Sequence, residues 1–100
     1  MPQIDSLDRG QSQQREGLSH QAIEDYVKTI YTLAQEESPV STSRVAAARS
    51  VKPASATSMI QRLASLNLVN YEKHYGVTLT EAGEKLALEV IRHHRLLELY

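Results

Sequence analysis

The stretch that most constrains the fold runs from Arg44 to Tyr75 and reads RVAAARSVKPASATSMIQRLASLNLVNYEKHY. It predicts a short helix, a tight turn, a second helix and the first strand of a hairpin, which is the order of a winged helix-turn-helix. Pro53 suits the first turn of the second helix, because the N–H that proline lacks has no partner there. Apolar side chains then recur at helical spacing and form one face: Ala56, Met59, Ile60, Leu63 and Leu66.

The opposite face of this second helix is small and polar, and its flanks are basic. Five cations and one glutamate fall between Ser41 and Tyr75, so this part is net +4 in a chain that is net −1. A helix with a small polar face beside basic flanks suits the major groove of DNA, whose phosphates attract the positive charge. We therefore interpret it as a recognition helix. Its polar face comprises Ser55, Ser58, Gln61, Arg62 and Ser65.

Another helix is predicted before this stretch. Ser19 is a suitable N-cap, and the helix should end near Glu36, before the break at Ser38 and Pro39. Val40 is expected to pair briefly with the later hairpin, and a short second helix covers residues 43–49. The apolar face of the first helix consists of Ile23, Tyr26, Val27, Ile30, Tyr31, Leu33 and Ala34.

The hairpin that forms the wing is predicted from two short β-prone runs, residues 68–72 and 77–79. The connection Lys73–Gly76 contains a glycine, Gly76, that is free to adopt a positive φ. Thr80 is then expected to cap a last helix, which is still helical in pattern at Tyr100. Asn67 is expected to end the recognition helix.

These elements predict a mainly α fold with a small β-hairpin, a winged helix-turn-helix followed by a long C-terminal helix. Residues 1–18 are rich in Gln, Ser, Arg and Gly and bury too little apolar surface to offset their ordering entropy, so we expect a disordered tail. Residues 19–80 form the expected DNA-binding domain. Residues 81–100 begin a linker or dimerisation helix, and the rest of the dimerisation region is expected beyond them.

Composition narrows the function classes. The chain of 100 residues contains no cysteine, so it has neither disulfides nor thiolate metal ligands. No apolar run is long enough to span a bilayer, and a cytoplasmic protein without a membrane partner is the expectation. No nucleophile–base pair or phosphate-binding glycine loop is present, so we do not expect an enzyme.

Four segments of the chain together resemble the diphtheria toxin repressor family of bacterial metal-dependent transcriptional repressors, and the manganese transport regulators within it look closest. The segments occur in the order that the family has, each on the predicted element that matches, and they cover roughly residues 20–100. They are IEDYVKTIYTL (Ile23–Leu33), VKPASATSMIQRL (Val51–Leu63), GVTLTEAGEKLA (Gly76–Ala87) and HHRLLE (His93–Glu98).

The resemblance implies a divalent metal bound between the first helix and the helices after the wing. Asp25 matches the family's first ligand, His94 its histidine ligand, and Glu98 a carboxylate that serves a metal site in part of the family. His94 and Glu98 are four residues apart and share a helix face. One imidazole and two carboxylates form a ligand set suited to Mn²⁺ or Fe²⁺.

Two residues bear on the identity of this metal. The family's iron-responsive members place a methionine where this chain has Asp25, so the oxygen ligand favours Mn²⁺, with Fe²⁺ as the alternative. The manganese regulators often have a glutamate ligand where this chain has Lys28, which argues against a two-manganese cluster. Asp25 taken alone is also consistent with a surface carboxylate that pairs with Lys28 or with a cap partner.

The resemblance also implies double-stranded DNA as the partner and a homodimer that holds two recognition helices one DNA turn apart. Ala54, Ser55 and Ser58 match the positions that face DNA in relatives, and their small side chains imply few hydrogen bonds to bases. Part of the sequence preference is then expected to come from DNA shape. The predicted DNA-contacting residues are Arg44, Lys52, Ala54, Ser55, Thr57, Ser58, Arg62 and Lys73.

Two functions are consistent with these patterns. The first is a Mn²⁺-dependent, or alternatively Fe²⁺-dependent, DNA-binding repressor that controls metal homeostasis. The second is a winged-helix domain for metal-independent DNA binding or protein interaction. They differ in whether binding responds to metal and to substitution of Asp25 or His94.

Overall fold

The protein is described here from a computed structural model, which defines residues 19–98 and the side chains of residues 19–93. The predicted disordered tail, residues 1–18, lies outside the described residues. Four helices and one hairpin are present in residues 19–98: α1 (His20–Ala34), α2 (Thr42–Arg49), α3 (Pro53–Ser65), β1 (Val69–Glu72), β2 (Gly76–Leu79) and α4 (Glu81–Glu98). This order confirms the prediction of a mainly helical winged helix-turn-helix.

Side-chain hydroxyl groups cap the amino ends of three of the helices. Ser19 Oγ accepts a hydrogen bond from the Ala22 amide at 3.2 Å, and Ser41 Oγ accepts one from the Arg44 amide at 3.1 Å. Thr80 Oγ1 accepts one from the amide of Gly83 at 3.0 Å. These bonds satisfy amides that have no partner within the first helical turn, which confirms Ser19 and Thr80 as caps.

The core lies between the helices and one face of the hairpin. The predicted apolar face of α3 is buried except at Leu66, which is 49% exposed, contrary to the prediction. The helix ends at Ser65, Leu66 is its C-cap residue, and Asn67 then adopts the left-handed conformation with φ 64°, so the apolar face of α3 ends at this position. The buried core consists of Tyr26, Val27, Ile30, Val40, Val45, Ala46, Ala56, Met59, Ile60, Leu63, Val69, Val77 and Ala87.

The predicted pairing of Val40 with the hairpin is confirmed. The Val40 amide donates to the Val77 carbonyl oxygen at 2.9 Å, and the Val77 amide donates back at 2.8 Å. Gly76 lies beside this bridge with φ +127°, and a Cβ atom there would lie 2.9 Å from the Val40 carbonyl oxygen. Glycine is therefore required at this position for both backbone conformation and close approach.

Arg44 fastens α2 to the carboxyl end of α1. Its Nη1 donates to the Glu37 carbonyl oxygen at 2.9 Å, and its Nη2 donates to the Leu33 carbonyl oxygen at 3.0 Å. The carboxylates of Glu36 and Glu37 lie 3.4 and 3.8 Å from the same guanidinium. A cation bonded to the last carbonyls of a helix also interacts favourably with the helix dipole.

Arg44→Met is expected to lower the free energy of unfolding by about 2 kcal/mol, because two charge-assisted hydrogen bonds to the end of α1 are lost. Urea denaturation followed by circular dichroism measures this loss. Arg62→Met removes the same group from an exposed position on α3 and should change stability by less than about 0.5 kcal/mol. Equal effects of the two substitutions would contradict the fastening role of Arg44.

None of the helices in residues 19–98 combines the length and apolar character that crossing a bilayer requires.

Candidate nucleic-acid interface and metal centre

The amino-terminal half of the outer face of α3 is exposed and carries small side chains, and Gln61 and Arg62 follow toward the carboxyl end. Ala54, Ser55 and Ser58 are exposed, and Thr57 is half-buried beside them. The opposite face holds Ala56, Met59, Ile60 and Leu63 in the core, so packing fixes which side of the helix faces outward. Because the outward side chains are small, a duplex can approach the backbone of α3 closely.

The amino end of α3 is open. Pro53 occupies the first turn, and the N-cap residue Lys52 makes no side-chain hydrogen bond to the first amides. Uncapped amides at the positive end of a helix dipole attract anions such as phosphate. Lys52 is exposed at this end, so a charged residue and backbone N–H groups without a side-chain cap lie at the same end of α3.

Only part of the basic charge counted in the sequence is available at this surface. Lys52, Arg62 and Lys73 are exposed. Arg44 is bonded to the end of α1, as described above, and Arg49 lies 3.7 Å from a carboxylate oxygen of Asp25. Three of the five cations in the basic stretch are thus exposed, and the other two join helices within the fold.

The tip of the wing lies next to the start of α2. His74 adopts a left-handed backbone with φ 70°, a conformation for which the sequence singled out only Gly76. Tyr75 is 69% exposed. A shallow pocket between the tip and α2 is lined by Ser41, Thr42, Tyr71, His74, Tyr75 and Gly76. The wing therefore presents polar and aromatic groups beside the basic Lys73.

Asp25, the predicted first metal ligand, lies on α1, against which α4 packs. Its Oδ1 accepts a hydrogen bond from Gln21 Nε2 at 3.2 Å, and its side chain is about one-quarter exposed. Two hard oxygen donors, partly open to solvent, fit a divalent cation of the Mn²⁺ class as one ligand. The predicted partners His94 and Glu98 belong to α4, but their side chains lie outside the described part of the chain.

Within the described side chains, no three potential ligand groups gather in one place. Of the three predicted ligands, Asp25 is the one whose side chain and neighbours the structure describes. Its cationic neighbour is Arg49 on α2 and not Lys28, the partner that the sequence offered. Local spacing pointed to Lys28, whereas the contact with Arg49 depends on how α2 packs on α1.

Arg49 also stacks on the aromatic ring of Tyr26. Its guanidinium carbon lies 5.4 Å from the ring centroid, within the range of a cation–π contact. Burial raises the pKa of the Tyr26 hydroxyl above its ordinary value of 10.0, and the charge of Arg49 opposes that rise. The phenol is therefore neutral near pH 7, and Arg49 lies between this neutral ring and the carboxylate of Asp25.

Comparison with known proteins is consistent with these features. The profile of the family described as "Iron dependent repressor, N-terminal DNA binding domain" matches residues 19–77. An HTH-type transcriptional regulator of Methanocaldococcus jannaschii is 36% identical over 81 residues, which are 80% of this chain and 65% of that protein. The HTH-type transcriptional regulator MntR of Lysinibacillus sphaericus is 40% identical over 77 residues, which are 77% of this chain and 55% of that protein.

Among solved structures, that of the manganese regulator SloR superimposes with a TM-score of 0.63 at 35% identity. The match covers 74% of this chain and 34% of the SloR chain. The similarity thus extends over most of the present chain but over only part of each of these proteins.

Proposed function

Since the chain belongs to the iron-dependent repressor family, as its resemblance to the diphtheria toxin repressor family predicted, we propose that it binds double-stranded DNA and represses transcription in response to a divalent metal. The family is one of transcriptional repressors and not of enzymes. The genes under control are those of metal homeostasis. The observation that carries the proposal is the exposed, small and uncapped amino-terminal half of α3, beside the wing.

Within this proposal, α3 enters the major groove through Ala54, Ser55 and Ser58. Lys52, Thr57, Arg62 and, from the wing, Lys73 hold phosphates. We leave Arg44 out of the contacts that the sequence proposed, because its guanidinium donates to carbonyl oxygens at the end of α1. Sequence preference then depends on close backbone approach and DNA shape more than on long side chains.

We propose Asp25, His94 and Glu98 as metal ligands, with Mn²⁺ as the metal and Fe²⁺ as the alternative. The oxygen ligand at Asp25 and the similarity to the manganese regulator SloR support Mn²⁺. Asp25 on α1 and His94 on α4 would hold a bound Mn²⁺, which would supply positive charge between the two helices. These two residues would then hold the helices in one relative position, which would favour the arrangement that binds DNA.

We further propose that the protein acts in the cytoplasm as a homodimer, which places two copies of α3 on one face of the duplex. Residues 19–80 are the DNA-binding domain in this proposal, and α4 begins the linker to the dimerisation region. The contact between α4 and α1 supports a route from the metal to the DNA-binding domain.

The test is DNA binding with and without metal. Adding Mn²⁺ is expected to tighten binding to operator DNA selected from a random pool by roughly 10- to 100-fold, and a chelator should reverse the effect, because coupling between sites is typically worth 1–3 kcal/mol. Fluorescence anisotropy at fixed salt measures both states. Asp25→Asn and His94→Ala should bind DNA weakly and equally with and without Mn²⁺.

A metal-independent winged-helix domain is the second candidate. The cation already present beside Asp25 favours it, because Arg49 can neutralise this carboxylate without a metal. Equal DNA affinity in Mn²⁺ and in chelator, unchanged by Asp25→Asn, would decide for this function.

A further inference from the structure

The carboxylate of Asp25 has a cationic neighbour supplied by another helix. Arg49 Nη2 lies 3.7 Å from Asp25 Oδ2, while Asp25 Oδ1 accepts the hydrogen bond from Gln21. Both oxygens are thus engaged, one by a neutral amide and one by a charge. At 3.7 Å the contact with Arg49 is longer than a hydrogen bond, so the attraction is Coulombic and imposes little geometry.

The guanidinium of Arg49 is held in place without full hydrogen bonding. Its Nε is buried and, among the described residues, has no hydrogen-bond acceptor. A buried donor without an acceptor is unfavourable, and the stacking on Tyr26 and the charge of Asp25 offset this. The position of Arg49 therefore depends on the Tyr26 ring and on an Asp25 carboxylate that no metal coordinates.

We propose that Arg49 is an internal competitor of the divalent cation: it occupies the cationic position beside Asp25, and metal binding must displace it. This inference rests on the proposed role of Asp25 as a metal ligand. A carboxylate oxygen coordinated to Mn²⁺ has less negative charge to offer, and the two cations repel each other. Arg49 thus lowers metal affinity and sets the metal concentration at which the site fills.

The same contact links the metal to the helix-turn-helix. Arg49 is the last residue of α2, one residue before Ser50, whose left-handed backbone with φ 57° begins the turn toward α3. Release of Arg49 from Asp25 and Tyr26 loosens the attachment of this end of α2 to α1. Because linkage is reciprocal, any state of α2 that separates Arg49 from Asp25 also raises the affinity for metal.

The experiment measures Mn²⁺ binding by the purified protein, from the electron paramagnetic resonance signal of free Mn²⁺, with no DNA present. Arg49→Met keeps an unbranched, flexible side chain of shorter reach and removes the charge, and it is expected to tighten Mn²⁺ binding about tenfold. Arg49→Lys keeps the charge and should remain within about threefold of the unchanged protein. Circular dichroism confirms that each variant is folded.

Two further variants serve as controls. Lys85→Met removes one positive charge from an exposed position of α4, roughly 13 Å along the helix axis from His94, and should leave the affinity within about twofold. Asp25→Asn is expected to weaken Mn²⁺ binding at least tenfold, because an amide is a poorer ligand than a carboxylate.

The measured affinities distinguish competition by Arg49 from the proposed role of Asp25 as a metal ligand, on which the competition rests. Tighter binding by Arg49→Met alone supports the competition, even where the unchanged protein binds too weakly to measure. Unchanged or weaker binding by Arg49→Met, with loss in Asp25→Asn, overturns the competition and leaves Asp25 as a ligand. Equal gains in Arg49→Met and Lys85→Met overturn it as well. Indifference to Asp25→Asn, or no Mn²⁺ binding by any variant, overturns both the competition and the metal site.

Discussion

Ser55→Glu is expected to weaken duplex DNA binding by at least about 100-fold while the protein stays folded. Ser55 is exposed near the amino end of α3, where the proposed interface meets phosphates. A carboxylate at that position places like charges together, which costs several kcal/mol, and each 1.4 kcal/mol is a factor of ten. Ser58→Glu, one turn further along, should have a similar effect. Fluorescence anisotropy at fixed salt gives both affinities.

The substitution at Ser55 is expected to change DNA affinity without lowering the melting temperature. Glutamate in the first turn of a helix interacts favourably with the helix dipole, so the melting temperature should be unchanged or slightly raised. Ala82→Glu adds the same charge to the exposed first turn of α4 and should change DNA affinity no more than about threefold. If Ser55→Glu binds as well as Ala82→Glu, then α3 is not the helix that contacts DNA.

Gly83→Ala is expected to lower the free energy of unfolding by about 3 kcal/mol, although alanine is the better helix former by about 1 kcal/mol. Gly83 is buried in the first turn of α4 against the backbone of Leu68. A Cβ atom there would overlap the Leu68 carbonyl oxygen and lie 3.0 Å from its carbonyl carbon. That oxygen cannot easily move away, because it accepts the Thr80 amide at 3.0 Å.

Thermal unfolding followed by circular dichroism measures this effect, which should amount to a fall of about 12–24 °C in a domain of this size. Ala82→Gly, the reverse change at the exposed neighbouring residue, should cost only about 1 kcal/mol. A melting temperature that rises in Gly83→Ala would show that α4 can move away from Leu68 without loss.

Hydrophobic spacing and capping residues were sufficient to predict the elements of this fold and most of the core. The first helix begins at the predicted cap, Asn67 ends the recognition helix, and Val40 pairs with the hairpin. Such features depend on neighbours in sequence or on a pattern that repeats along one element. Leu66 fitted the spacing and is nevertheless exposed, because it is the C-cap residue, at which the helix and its apolar face end.

Neither charge nor spacing in the sequence predicts the roles of the two arginines. Arg44 and Arg49 both contributed to the positive stretch that indicated DNA binding, but each contacts α1 instead. A charge count cannot distinguish a solvated guanidinium from one that bridges two helices, because the difference arises from tertiary packing. The predicted ligands Asp25, His94 and Glu98 and the DNA contacts remain proposals.

The bridge between Val40 and Val77 closes the backbone into a ring that contains α2, α3 and most of the hairpin. Its two hydrogen bonds join residues that are fully buried, so water has little access to these bonds. Fixing the ends of a loop lowers the entropy it can gain by opening. Helix α3 should therefore not unfold independently, and residues 40–77 should exchange their amide hydrogens with solvent as one cooperative unit.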